Sequence, residues 1–404
     1  MAERRLGRLL TLLLATTAAV TASNVYLNQP LLGAVAAEFG VASSVLGVVP
    51  TATQLGYALG ILLVVPLGDT RQRRGLIVGL GTLSALTLAL AAVAPNVGWL
   101  TVASFLVGFA SPVPQIIMPL AVALSGGARN GRIVGLIQSG LLVGVLASRT
   151  YSGVVAEAWG WRSVYWCSVA LTLLITVLVG RALPGEPPTI TIGYRSVLGE
   201  LPALARRPLV WRITVSGACV GVAFGAFWTT LTFLLEDSYG YGSAVVGLFG
   251  LVATLSALAS PLAGRVGDRL GYRWALIVLT AIALAGWLVL LPGSTSLAWL
   301  IAGVIVLDVG VWGNQVVCQS ALFTLEPAVH SRLNTLYFTQ RFAGIALGSL
   351  AGSLAWAAGG WAAVAALGVA TSALGLLIGS VRRRGGCTAL EVPPVARTPP
   401  VWGQ

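Results

Sequence analysis

The sequence contains no lysine: all 24 of its basic residues are arginine. A P-loop nucleotide site needs its lysine on the phosphates, so no such site lies within this chain. Histidine is nearly as scarce, with His330 alone, and the four cysteines (Cys167, Cys219, Cys318 and Cys387) are scattered. That excludes a His/Cys zinc cage and a disulfide framework, and neither metal nor cofactor is expected. Charge of either sign is rare. Charged residues make up 9% of the 404 residues, where a soluble domain carries about 25%. With hydrophobic residues at 57%, a soluble chain of this composition has too few charges to cover its surface. The net charge of +12 ordinarily points to nucleic acid. In a chain this apolar the positive-inside bias of membrane proteins accounts for it better, so the expected surrounding is a lipid bilayer and no nucleic-acid partner is expected.

Long apolar runs are what the chain has instead. A bilayer-crossing helix needs about 20 mostly apolar residues. Twelve such runs are expected, at 9–32, 45–67, 76–94, 98–124, 133–156, 161–180, 210–235, 243–263, 274–292, 297–322, 333–356 and 361–380. Short breaks with turn chemistry separate them: Pro95-Asn96, Gly126-Gly127, Ser238-Tyr239-Gly240, Pro292-Gly293 and Gly359-Gly360. The first run follows Arg4, Arg5 and Arg8 and includes Val20-Thr21-Ala22, which resembles a signal-peptide cleavage site. The internal repeat described below needs this run as a helix, so it is read as a span.

Arginine placement sets the expected orientation. With the N-terminus cytoplasmic, 21 of the 24 arginines fall in cytoplasmic segments. Arg162 lies at an external helix end, Arg149 and Arg341 lie inside spans, and the external loops hold Glu38, Glu157, Glu236 and Asp237. Both termini are therefore expected inside. The long inner segment 181–209 carries Pro184, Pro187, Pro188, Pro202 and Pro208 and reads as a linker. Within it Tyr194, Val197, Leu198, Leu201 and Leu204 recur at helical spacing, which predicts a short helix on the membrane surface. The expected division is a six-helix half over 1–180, the linker over 181–209, a second six-helix half over 210–380 and a disordered tail over 381–404, too short for a further folded domain.

The two halves match in register. Gly131-Arg132 aligns with Ser331-Arg332, Gly144 with Gly344 and Gly160-Trp161 with Gly360-Trp361, each at an offset of 200, and Gly68-Asp69 aligns with Gly267-Asp268 at 199. Both copies start on the same side, so the repeat is parallel, as in two halves related by an axis along the membrane normal. The stretch GRVGDRLGYR at 264–273 resembles the signature loop of the major facilitator superfamily, with Gly264, Asp268, Arg269, Gly271 and Arg273 in place. The first-half copy, VPLGDTRQRR at 65–74, keeps Asp69, Arg73 and Arg74. Stretches such as YLNQPLL at 26–32, TQLGYALG at 53–60 and SRLNTLY at 331–337 are similar to a bacterial branch grouped with sugar and drug efflux permeases.

The resemblance implies an all-α integral membrane protein, twelve transmembrane helices in two parallel six-helix repeats, in a bacterial cytoplasmic (inner) membrane. It also implies that Asp69 faces the start of the eleventh span near Ser331 and Arg332. By the repeat, Asp268 faces the start of the fifth near Gly131 and Arg132, locking an inner gate. Two departures from the family pattern count against antiport. Gly144 is followed by Val145 where a proline is usual, and Ser104 and Phe105 stand where a basic residue is common.

Ionisable groups inside a membrane are costly and mark function by default. Asp308 is the one acid well inside a span. It lies ~16 Å from the outer end of the tenth span, and Arg341 lies ~12 Å from the inner end of the eleventh, so their depths permit a pair, structural or proton-coupling. Arg149 has no acid at its depth and reads as a cavity-wall site for an anionic or polar substrate. The first, fourth, seventh and tenth helices line the cavity in the family, which selects Asn24, Asn28, Gln115, Trp228 and Asn314 as further cavity residues. Tyr26, Gln29, Gln54, Tyr57, Gln138, Gln315, Gln319 and Gln340 are weaker candidates, since a lone amide is more often interhelical glue. Gly140 and Gly144, and Gly344, Gly348 and Gly352, repeat every fourth residue and are expected where the halves slide on each other.

The expected function is secondary active transport of a small molecule by alternating access, as proton-coupled efflux, with proton-coupled or facilitated uptake as the alternative. The protein is expected to act as a monomer. A membrane enzyme needs clustered acids, His or Cys at one face, and a sensor usually carries a soluble domain; neither is present, so no enzymatic activity is expected.

Overall fold

The computed structural model describes the backbone of residues 8–124, 130–184, 193–257, 260–326 and 329–381. Within these segments the side chains at 69, 123, 130–132, 134, 254–257 and 260–268 lie outside what it describes. Every regular element among the described residues is helical: α1 (Arg8–Ser23), α2 (Leu32–Phe39), α3 (Val48–Val64), α4 (Leu67–Thr70), α5 (Arg73–Ala92), α6 (Val97–Ala110), α7 (Val113–Leu124), α8 (Asn130–Trp159), α9 (Trp161–Ala182), α10 (Tyr194–Ala205), α11 (Pro208–Tyr239), α12 (Ser243–Ala257), α13 (Ser260–Leu290), α14 (Leu297–Leu322) and α15 (His330–Ser380), with short 3-10 turns at Gln29–Leu31, Ser43–Gly47 and Leu291–Ser294.

Among the described residues, nine helices long and apolar enough to cross a membrane and two shorter apolar helices account for the twelve expected runs. The eleventh and twelfth form one long α15 interrupted at Gly359 and Gly360, where Gly360 has φ 58°. α13 is bent in the same way at Gly271, at φ 74°. Only glycine enters that region without strain, which is why the signature loop carries glycine there. The first and fourth crossings are broken rather than continuous. The expected run at 9–32 is α1, then a turn at Asn24–Asn28, a 3-10 turn starting on Gln29-Pro30, and α2 ending at Phe39. The expected run at 98–124 divides at Ser111-Pro112 into α6 and α7. Proline has no N–H to give and clashes with the preceding turn, which accounts for the interruption at Pro112.

Packing repeats between halves. α1 lies on α8 as α11 lies on α15, α3 on α6 as α12 on α14, and α5 on α9 as α13 on α15. The periodic glycines sit at the first of these contacts. A Cβ on Gly140 would meet the Ala15 carbonyl at 2.6 Å, and one on Gly144 would meet the Ala19 backbone. Gly344, Gly348 and Gly352 lie likewise against Ala218, Val222 and Ala226. This corrects the expectation that these stripes separate the halves: both are seams within a half. The halves instead meet where α8 crosses α12 and where α3 crosses α15. Outer faces are apolar and uncovered, as at Leu86, Val102, Val143, Leu174, Leu251, Leu347 and Leu354, the surface a lipid-facing bundle presents.

The predicted linker helix is α10. It buries Val197, Leu201 and Leu204, its Glu200 pairs with Arg332, and the Tyr194 hydroxyl donates to the Leu63 carbonyl at 2.7 Å. It therefore ties to both halves at the arginine-rich end.

Candidate functional site

The broken first crossing supplies much of the site. Helix interruptions at membrane depth persist where protein or an aqueous cavity receives the freed polar groups. Here the Asn24 amide donates to Ser84 Oγ at 3.3 Å and Thr172 Oγ1 at 3.2 Å, and the Asn28 amide donates to Thr53 Oγ1 at 2.7 Å. Both are buried. The turn they anchor points Tyr26 and Gln29 between the halves.

A cavity of about 620 Å³ lies between the halves. One side comes from Val25, Tyr26, Tyr57, Gln115, Met118 and Gln138, and the other from Phe224, Trp312, Gln315, Phe338, Arg341 and Phe342. It extends past Gln319 to Phe323, His330 and Ser331, at the arginine-rich end of the bundle. A chain of amides crosses its wall: Gln319 donates to Asn334 Oδ1 at 3.1 Å, and Asn334 donates to Gln115 Oε1 at 3.4 Å. Tyr57 meets Phe342 edge-on across the halves, with centroids 4.5 Å apart. No Asp or Glu is among the described residues lining the cavity. Its charged side chain is Arg341, which is 2% exposed. Arg341 gives one hydrogen bond to the Tyr337 hydroxyl and one to the Val311 carbonyl, each at 3.3 Å.

Behind Tyr26, away from the cavity, sits a second arginine in different company. The Arg149 guanidinium lies 3.9 Å from the Trp228 ring centroid and 4.9 Å from that of Tyr26. Its Nε donates to Gln29 Oε1 at 2.9 Å and its Nη1 to the Val145 carbonyl at 3.3 Å, while Nη2 has no hydrogen bond. The Arg149 charge reaches the Asp308 carboxyl, which lies near the neutral Trp228 indole N–H. Yet neither oxygen of Asp308, fully buried, completes a hydrogen bond, and neither does the Trp228 indole nitrogen. Tyr26, Gln29 and Arg149 come from the first half, and Trp228 and Asp308 from the second. The cluster therefore exists only while the halves are together at this level.

Beyond the cluster, toward the arginine-poor end, the halves touch closely. Thr150 Oγ1 donates to the Gly247 carbonyl at 2.9 Å, and Thr232 Oγ1 to the Gln29 carbonyl at 2.8 Å. A Cβ on Gly247 would meet the Arg149 carbonyl at 2.7 Å. One on Gly33 would land on the Glu236 carboxyl, and one on Gly47 on the Ser353 hydroxyl. Trp161 and Arg162 both donate to Glu38, stapling the first crossing to the sixth within its own half.

The structure does not bring Asp308 and Arg341 together; Arg341 has neutral acceptors and Asp308 lies in the field of Arg149. Of the residues expected to line the cavity, Gln115 does so. Asn24 and Asn28 instead bond within their half, and Asn314 does the same, donating to Thr280 Oγ1 at 2.9 Å. Arg149 and Trp228 are buried against each other rather than in the cavity wall. Among the gating residues, the buried Arg73 donates through Nε to the Gly68 carbonyl at 2.9 Å. Arg273 donates to the Ser380 carbonyl at 3.2 Å. Arg74 and Arg269 are exposed. Asp69, Gly264 and Asp268, with the expected partners Gly131 and Arg132, lie outside the described side chains. Asn334, which sequence reasoning missed, carried a usable signal: it is an amide one turn into an apolar helix, across from Gln115.

A family model described as Major Facilitator Superfamily matches residues 14–349. The chain is 35% identical over 372 residues to the putative uncharacterized transporter YgaY of Escherichia coli K12, covering 92% of this chain and 94% of that one. It is 35% identical over 385 residues to the probable transporter SCO4007 of Streptomyces coelicolor, covering 93% and 88%. Its fold is similar to the crystal structure of a bacterial homolog to the human lysosomal transporter Spinster in an inward-facing and occupied conformation. There the TM-score is 0.73 at 14% identity, over 92% of this chain and 95% of that one.

Proposed function

Because the chain belongs to the Major Facilitator Superfamily, we propose that it exports a small molecule across the bacterial cytoplasmic membrane by alternating access, driven by protons entering in exchange. The observation that carries this reading is the difference between the two ends of the space between the halves: a cavity lined by aromatics and amides reaches the arginine-rich end, while at the other end a cleft lined by Gly33, Glu157 and Glu236 lies beside interlocked backbone. Taking the arginine-rich end as cytoplasmic, with both termini there, this is the inward-facing member of the cycle, open to load from the cell. Opening the other side means parting Thr150 from Gly247 and Thr232 from Gln29. The same movement takes Arg149 away from Asp308, because the two belong to different halves. A carboxylate left in a low-dielectric site without its cation takes up a proton to shed the charge. Asp308 would load a proton when the outer side opens and release it when Arg149 returns. Arg341, placed in the cavity wall, takes no part in that exchange of partners.

The test uses inverted membrane vesicles carrying the chain, made acidic inside, and a panel of fluorescent organic anions, cations and neutral aromatics. Accumulation of at least one class is expected, lost when the gradient is collapsed. Asp308→Asn is expected to abolish driven accumulation while exchange of preloaded compound continues. Driven transport by Asp308→Asn at the parental rate would sink the coupling role. Accumulation only in right-side-out vesicles would make the protein an uptake system.

A further inference from the structure

The two arginines buried mid-helix among the described residues differ in their surroundings. The Arg149 guanidinium lies where its field and that of the Asp308 carboxyl reach each other. Arg341 has no acid among the described residues: its partners are a phenol and a carbonyl, both neutral. A guanidinium carries five N–H donors, and those two bonds leave donors to spare. Holding an unpaired arginine at such depth is costly even on the milder insertion scales, and such a side chain belongs where something compensates it. Arg341 stands in the wall of the aromatic-lined cavity between the halves.

The rest of the wall narrows what compensates it. Tyr57, Phe224, Trp312, Phe338 and Phe342 make the cavity aromatic, and among the described residues no carboxylate faces it. Aromatic faces alone would also suit an organic cation, but the Arg341 charge opposes one. A cavity of about 620 Å³ falls in the usual range for a drug-sized ligand, about 300–1,000 Å³.

We infer that the cavity takes an amphipathic organic anion, its carboxylate or equivalent acidic group on Arg341 and its apolar body against the aromatic wall. This rests on the transport reading only in taking the cavity as the substrate site.

The purified full chain is titrated calorimetrically in detergent at pH 7.5 with three probes of one shape: 1-naphthylacetate, the neutral 1-naphthylacetamide and the cationic 1-naphthylmethylammonium. The carboxylate is expected to bind at least about tenfold more tightly than either of the others, the ratio a charge-assisted pair supplies. In Arg341→Gln the carboxylate and the amide are expected to bind within about twofold of each other. Arg341→Lys keeps the charge without the planar fork and is expected to retain an intermediate preference. The comparison among probes in the unaltered protein decides the matter even where a variant does not fold. Equal or tighter binding of the amide or the ammonium, no binding by any of the three, or a carboxylate preference that survives Arg341→Gln overturns the inference. Vesicle flux separates the two readings. Flux of cations with no anion preference refutes the substrate class and leaves transport standing; anion-selective binding without flux does the reverse.

Discussion

Arg149 and Arg341 are both arginines buried in the middle of helices, and the structure gives them opposite circumstances. Removing Arg149 takes away the cation whose field reaches the buried Asp308 carboxyl, and a buried charge left uncompensated is destabilising. Removing Arg341 strands no acid. Arg149→Gln should therefore lower the thermal midpoint of the purified protein and its folded yield well below those of Arg341→Gln. Adding Asp308→Asn to Arg149→Gln should restore part of the loss. Fluorescence-detected size-exclusion after a heating series measures all four proteins; equal losses for the two arginine variants would remove Arg149 as the partner of Asp308. The three charges were legible in the sequence, and so were their depths, because rise per residue is fixed. Which arginine serves the aspartate was not, since that depends on which way each helix is turned and which half faces which. The amides show the same limit. On a continuous helix Asn24 and Asn28 share a face one turn apart. The break between them sends Asn24 to Ser84 and Thr172 and Asn28 to Thr53.

Elements in this bundle are held by glycine at positions where a side chain has no room. Lipid offers helices little hydrophobic reason to associate, so close backbone approach and van der Waals contact carry much of the load. On α15, Gly348 faces the Val222 backbone, which cannot swing aside as a side chain can. Gly79 on α5 faces open space. Gly348→Ala should cost about 1–3 kcal/mol through forced separation of α15 from α11. Gly79→Ala should be neutral or stabilising by up to about 1 kcal/mol, since alanine suits a helix interior better than glycine. Thermal midpoints of the two variants against the parent check this, and a destabilised Gly79→Ala beside an unaffected Gly348→Ala would reverse the assignment. Spacing in the sequence located these stripes as close-packing faces. It could not say that they lie within each half, because an i, i+4 glycine repeat looks the same whichever helix covers it. The true meeting points, Gly153, Gly247 and Gly250 among them, are not periodic over enough residues to stand out.

At the scale of the whole molecule, the proposed cycle has the two halves moving as two bodies about the cavity between them, with their contact at the arginine-poor end deciding which side it opens to. The contact of Gly33 with Glu236 offers a way to hold it shut. Gly33 lies on α2 of the first half and Glu236 near the end of α11 in the second, and the space a Gly33 side chain would fill is occupied by the Glu236 carboxyl. Shortening Glu236 to cysteine frees that space. Placing a second cysteine at 33 then puts one thiol on each half at this contact, where a disulfide can join them. Cys167, Cys219, Cys318 and Cys387 would first be replaced by alanine or serine, so that the bridge is the only one available. Oxidised Gly33→Cys/Glu236→Cys protein should bind ligand from the arginine-rich side as the reduced protein does, because the cavity and its mouth are untouched. It should carry no flux in either direction, since the halves can no longer part at the other end, and reductant should restore transport. The single variants under the same oxidant provide the comparison. Full flux through the oxidised double variant would mean that solute crosses without the halves separating there, and the alternating movement proposed for this chain would be wrong.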